Sequence, residues 1–216
     1  MSKSKWTTNN IPDQGGKVVI VTGATSGLGK EAARVIAGKN ANVIMAVRNV
    51  QKGERVDEEI KTEIPDATIS VRDLDLGSLK SIKAFAEGIK KEIDRLDILI
   101  NNAGVMMCPY SKTEDEFEIQ MGTNHLGPFA LTGLMMPLLK KTKGSRIVNT
   151  SSGIHRIGNI NFSDLNWENR KYNTQRAYGD SKIANLYFTY ELVDKLNGNN
   201  PKVTAAHPGW TATELQ

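Results

Sequence analysis

From Lys17 onward, short apolar runs alternate with amphipathic stretches. VVIVT leads into GKEAARVIAGK, and NVIMAV leads into a charged stretch over 51–63. That alternation is the pattern of βαβ units and a parallel sheet. Further strands are predicted at 68–72, 96–101, 146–150 and 203–206, with helices beginning near Ser78, Thr113 and Ala177. Together these elements give a single α/β domain on a doubly wound parallel sheet. Right-handed crossovers then put a ligand crevice beyond the carboxyl ends of the strands, where residues that carry chemistry should gather. No repeat, low-complexity tract or linker divides the chain. Residues 17–216 read as the domain and 1–16 as a loosely held polar arm.

Composition narrows the picture mainly by exclusion. With 39% hydrophobic residues in 216, the chain can bury one sizeable core. The single cysteine, Cys108, rules out an intramolecular disulfide and a thiolate zinc cluster. His125, His155 and His207 are too dispersed to suggest a metal site, so no metal is expected. No apolar run reaches the length of a membrane span, and MSKSKWTTNNIPDQGG lacks the apolar centre of a signal peptide. The expectation is a cytoplasmic protein. The net charge of +4 comes from 28 basic and 24 acidic residues scattered among one another, which argues against a nucleic-acid partner.

Directly after the first predicted strand, Thr22-Gly23-Ala24-Thr25-Ser26-Gly27-Leu28-Gly29 opens a helix. A helix N-terminus offers unpaired N–H groups and partial positive charge to a pyrophosphate, and glycines let the backbone approach it closely. Glycine turns between strand and helix are common, but this one has the strand-turn-helix setting that a dinucleotide site requires. At the end of the second strand, where a carboxylate would hold the ribose of NAD, stands Arg48. A guanidinium matches a 2′-phosphate in charge and geometry, so NADP(H) is favoured over NAD(H). The plainer alternative is a solvated residue at a strand end.

Tyr178 and Lys182 are four residues apart at the start of a predicted helix, hence on one face. A nearby ammonium favours phenolate, which makes a tyrosine usable as an acid and base near neutrality. By themselves they would be only an exposed polar pair.

In order along the chain, these motifs resemble the classical short-chain dehydrogenase/reductase family, whose fold is of the Rossmann type. TGATSGLG resembles its phosphate loop, Asp75-Leu76 its adenine-side pair, and Asn101-Asn102-Ala103-Gly104 its fourth-strand motif. Asn124 resembles its helix asparagine, Ser152 its catalytic serine, Tyr178 with Lys182 its Y-x-x-x-K, and Pro208-Gly209 its post-strand turn. The resemblance implies that Tyr178 exchanges a proton with the carbonyl or alcohol oxygen while the nicotinamide exchanges hydride with the carbon. It also implies that Ser152 bonds the same oxygen, that Lys182 holds the nicotinamide ribose, and that Asn124 places a relay water. Pro128, four residues on, has no N–H for the Asn124 carbonyl, which would leave that carbonyl to a water or simply kink the helix. Thr213 matches the residue that bonds the carboxamide, and a helix cap is its other reading. Ser151 is set aside in favour of Ser152, and Ser181 is read as a packing residue.

Two departures stand out. Ser152 and Tyr178 are separated by an unusually long segment, read as an inserted substrate-side loop; with HPGWTATEL it is similar to the retinol-dehydrogenase-like branch. His155, Trp167 and Tyr172 are candidates for lining an apolar pocket, with loop packing the more ordinary reading of the last two. The chain also stops at Gln216, where the family continues through a covering segment, so the end looks truncated and the lid short. The leading expectation is an NADP-dependent enzyme acting on a small carbonyl or alcohol. The alternative is a catalytically silent cofactor-binding module for regulation or interaction. The aromatic-rich ANLYFTYEL fits either core packing or a homodimer or homotetramer interface.

Overall fold

A computed structural model describes residues 6–209. In chain order it contains β1 (Val18–Thr22), α1 (Gly27–Ala37), β2 (Asn42–Val47), α2 (Val50–Glu63), β3 (Thr68–Asp73), α3 (Leu79–Glu92) and β4 (Ile98–Asn101). Then come α4 (Ile119–Met121), a π-helical turn (Gly122–Leu126), α5 (Gly127–Lys141), β5 (Arg146–Thr150), α6 (Thr174–Leu196) and β6 (Lys202–Ala206). The strands form one parallel sheet in the order β3-β2-β1-β4-β5-β6.

The central strands explain why the sheet is covered twice. Side chains alternate across a strand. Val18 and Ile20 enter one core with Ile82, Phe85, Leu131 and Met135, whereas Val19 and Val21 enter another with Ala33, Val56 and Ile60. The helices α3 and α5 therefore close one face, and α1 and α2 close the other. Strand order reverses between β1 and β4, which opens a crevice at their carboxyl ends.

The strand expected at 96–101 begins only at Ile98, and three further differences from the sequence reading have a visible physical cause. No helix starts near Thr113: Lys112 and Glu118 form an antiparallel bridge around a turn in which Thr113 N–H donates to the Phe117 carbonyl at 2.8 Å. The helix waits for Glu118, whose buried carboxylate accepts from Gln120 N–H and Met121 N–H. Helix α6 starts three residues before Ala177, because Asn173 caps it by accepting from Arg176 N–H at 2.9 Å. Within the polar arm, Gln14 is buried and its N–H donates to the Lys39 carbonyl at 2.7 Å, docking that stretch onto the turn after α1.

Among the described residues no helix is long and apolar enough to cross a membrane. Nor, among them, do three or more His, Cys, Asp or Glu side chains group as metal ligands.

Candidate active site

The turns that follow β1 and β4 are built as one unit. The Thr22 hydroxyl accepts from the N–H groups of Asn102 and Ala103, each at 3.0 Å. The Asn102 amide returns bonds to the carbonyls of Thr22 and Gly23 at 3.0 and 3.3 Å. Gly23 has φ of +67°, and a Cβ there would stand 2.8 Å from the Ala103 Cα. At Gly29 a Cβ would collide with the Gly23 carbonyl oxygen. Only glycine satisfies both positions. The packing brings Ser26, Gly27 and Leu28, at the N-terminus of α1, onto the wall of a cleft of about 1030 Å³. No acidic side chain occupies the first turn of that helix, so its unpaired amides face the cleft without a competing carboxylate.

At one end of the cleft Arg48 is exposed just beyond β2, and among the described residues its guanidinium has no hydrogen-bond or ion-pair partner. Asp75 and Leu76 line the wall nearby, with Asp75 oriented by accepting from Gly77 N–H at 2.8 Å. Ala103, Gly104, Pro208 and Gly209 also line the cleft. Gly29 and Asn124 do not; they sit behind the wall and shape it. Thr213 lies outside the described residues.

At the other end β5 delivers Ser151 and Ser152. The buried Ser151 hydroxyl donates to the Lys182 carbonyl at 3.0 Å and so anchors α6. Ser152 lines the cleft and caps the short turn Gly153–Ile157. Facing it from α6 are Tyr178, 4% exposed, and Lys182, 3% exposed. Burial raises the Tyr178 hydroxyl above its ordinary range, and a hydrogen bond with Ser152 pulls it part of the way back. Burial pushes the Lys182 ammonium down to about 8. Its Nζ lies 5.3 Å from the Tyr178 ring centroid. Of its three possible hydrogen bonds, one is made within the described residues, a long one of 3.4 Å to the Thr150 carbonyl.

Asn124 is 1% exposed in the π-helical turn. Its side chain accepts from Val105 N–H at 2.7 Å and donates to the Val105 carbonyl at 2.9 Å and the Ser181 hydroxyl at 3.0 Å. Ser181 is thus a bridge between the π turn and α6 as well as a packing residue. Pro128 does deny the Asn124 carbonyl a helical N–H, but that carbonyl is not left bare, since Asn185 donates to it at 3.0 Å. A carbonyl has two lone pairs, so one acceptor position remains.

The long segment after Ser152 is locked beside Tyr178. Asn159 N–H donates to the buried Asp180 carboxylate at 2.7 Å. Trp167 and Tyr172 pack edge to face against each other and do not line the cleft. The Tyr172 hydroxyl donates to Glu118 at 2.6 Å, and burial together with that bond holds it strongly protonated. His155 bonds the Ser152 carbonyl through Nδ1 at 2.6 Å and also stays off the cleft wall. The sequence reading passed over Asn185, Glu118 and Asp180. The one available signal was spacing: Asn185 falls three residues after Lys182, on the same helical face.

A twice-covered parallel sheet, with a glycine turn feeding α1 and a buried Tyr-Lys pair on the cleft, defines a Rossmann-like α/β domain. Residues 17–216 match the model of the short chain dehydrogenase family, and the chain belongs to that family. It is 51% identical over 200 residues to retinol dehydrogenase 13 of Homo sapiens, covering 93% of this chain and 60% of that protein. The chain thus spans about three fifths of that relative's length. Among solved structures, an uncharacterized protein from Mycobacterium paratuberculosis is similar at a TM-score of 0.85 and 45% identity, covering 95% of this chain and 73% of that one. A short chain dehydrogenase from Shigella flexneri, complexed with NADP, is similar at a TM-score of 0.73 and 27% identity, covering 93% of this chain and 80% of that one.

Proposed function

We propose that this chain is an NADP-dependent oxidoreductase that transfers hydride between nicotinamide and a carbonyl or alcohol substrate, with Tyr178 as acid and base. The observation that carries this reading is the underpaired Lys182 ammonium, buried beside Tyr178 and Ser152 on the cleft wall. A buried cation with one long protein bond is costly unless a ligand supplies acceptors. The hydroxyls of a nicotinamide ribose are acceptors of the right kind. The amides at the start of α1 would hold the pyrophosphate, Asp75 and Leu76 would border the adenine, and Asn102, Ala103 and Gly104 would form the floor. Arg48 would pair with a 2′-phosphate.

When bound, the reduced nicotinamide supplies hydride to a carbonyl carbon. Tyr178, which burial keeps protonated at neutral pH, donates its proton to the carbonyl oxygen. Ser152 bonds the same oxygen and fixes its position against Tyr178. In the reverse direction Tyr178 takes the alcohol proton. Asn124 holds the Val105 backbone and Ser181 in register, which keeps the cleft floor and α6 aligned. Met106, Met107 and Ile154 give the substrate side an apolar wall, which supports an aldehyde or ketone on an apolar chain. The name of the retinol dehydrogenase relative makes retinal the first carbonyl to try.

The cofactor assignment is tested by fluorescence titration with NADPH and NADH. Arg48→Glu is expected to weaken NADPH about 30-fold, the size of a lost charge-assisted contact, and to leave NADH within about twofold. Equal effects on both nucleotides would refute the phosphate role of Arg48.

A further inference from the structure

Asn185 is 5% exposed, and every polar atom of its side chain is engaged. One amide nitrogen donates to two backbone carbonyls, that of Asn124 at 3.0 Å and that of Thr150 at 3.2 Å. The first belongs to the π-helical turn, the second to the end of β5. The amide oxygen lies 3.1 Å from His125 Nδ1. Burial lowers His125 below its ordinary range, so the ring is neutral at neutral pH and its Nδ1–H donates to that oxygen. This bond fixes which end of the amide faces the two carbonyls.

The Thr150 carbonyl is also the acceptor that Lys182 Nζ reaches at 3.4 Å. The two donors take the two lone pairs of that oxygen; an acceptor already bonded by one donor holds the second less strongly, and the Asn185 N–H presents its positive end beside the ammonium. The carbonyl itself cannot retreat, because Thr150 is paired with Ala206 in the sheet. We propose that Asn185 is a positioning residue for Lys182: by taking one lone pair of the Thr150 carbonyl and setting its N–H dipole beside the ammonium, it keeps the lysine's bond to that carbonyl long and weak and leaves the remaining protons directed at the cleft. The π turn and the proline after it make the arrangement possible: Pro128 withholds a helical N–H from the Asn124 carbonyl, and His125 in the turn meets Asn185.

Other titratable groups near Lys182 do not supply the same effect. Tyr178 lies along its own helix, His125 acts through Asn185, and His207, just after β6, has its ring beside Gly153. Burial is the cause of the Lys182 shift, with no charged side chain contributing. The inference deepens the oxidoreductase reading and rests on it for its meaning in turnover, but it is tested without turnover. With ¹³Cε-labelled lysine, the Lys182 signal, assigned by its loss in Lys182→Met, is titrated by NMR in the wild type and in Asn185→Leu. The leucine removes the competing donor without admitting water, so the midpoint is expected to rise by about one pH unit, a tenfold gain in proton affinity. An unchanged or lower midpoint in folded Asn185→Leu overturns the proposal.

Should the leucine variant fail to fold, the wild type carries the test alone. Its Asn185 side-chain amide, observed in ¹⁵N-asparagine-labelled protein, should shift with the same midpoint as Lys182. An amide that ignores the lysine titration overturns the shared acceptor. Absence of turnover with every carbonyl, alongside coupled titrations, would instead count against the oxidoreductase reading alone.

Discussion

Tyr178→Phe is expected to lower kcat for NADPH-dependent carbonyl reduction by about a thousandfold, within the range assigned to a positioned general acid. The ring is buried and its hydroxyl has one protein partner, Ser152 on the cleft wall, so the melting temperature should fall by no more than a few degrees and NADPH should still bind to within about twofold. Loss of kcat without loss of binding distinguishes proton transfer from damage to the cleft. If the variant keeps more than about a tenth of wild-type kcat, the proton comes from another group.

The second large effect falls on stability. Glu118 is fully buried, and its carboxylate accepts from Gln120 N–H at 2.9 Å, Met121 N–H at 2.7 Å and the Tyr172 hydroxyl at 2.6 Å. Glu118→Ala strands all three donors, starts α4 without its cap and releases Tyr172, which holds the long segment beside Tyr178. A cost of about 3 kcal/mol is expected from urea unfolding, seen as a lower midpoint with an unchanged slope. Tyr172→Phe removes one of the three bonds and should cost about 1 kcal/mol. Equal losses from the two variants would mean that the cap is irrelevant and only the loop contact counts.

Much of the fold could be read from VVIVT and NVIMAV, because strands buried on both faces are continuously apolar and announce helices on either side. The glycine turn after β1 was equally legible, since glycine at Gly23 and Gly29 answers to backbone collisions that any sequence in this setting must avoid. The region before α4 misled because the cap is a glutamate, an unusual capping residue that is buried here under Tyr172 and Asn166, far along the chain, so helical spacing pointed too early. Asn185 was missed for a related reason. Tyr178, Ser181, Lys182, Asn185 and Thr189 form a polar stripe on α6 that resembles a solvated face, yet all five are buried. Their partners are the carbonyls and hydroxyls of β5 and the π turn, far away in sequence. For Trp167 and Tyr172 the more ordinary of the two readings, loop packing, is the one the structure shows: their rings and the Glu118 bond are spent on holding the loop in place.

The most direct measurement uses NADPH that carries deuterium at the transferable C4 position, incubated with this chain and retinal, followed by mass spectrometry of the alcohol formed. Deuterium on the carbinol carbon, appearing about a thousandfold more slowly with Tyr178→Phe, is the result this account predicts. Tight NADPH binding with no deuterium delivered to retinal or to a panel of apolar aldehydes and ketones would contradict it, and would make the chain a cofactor-binding module that does not turn over.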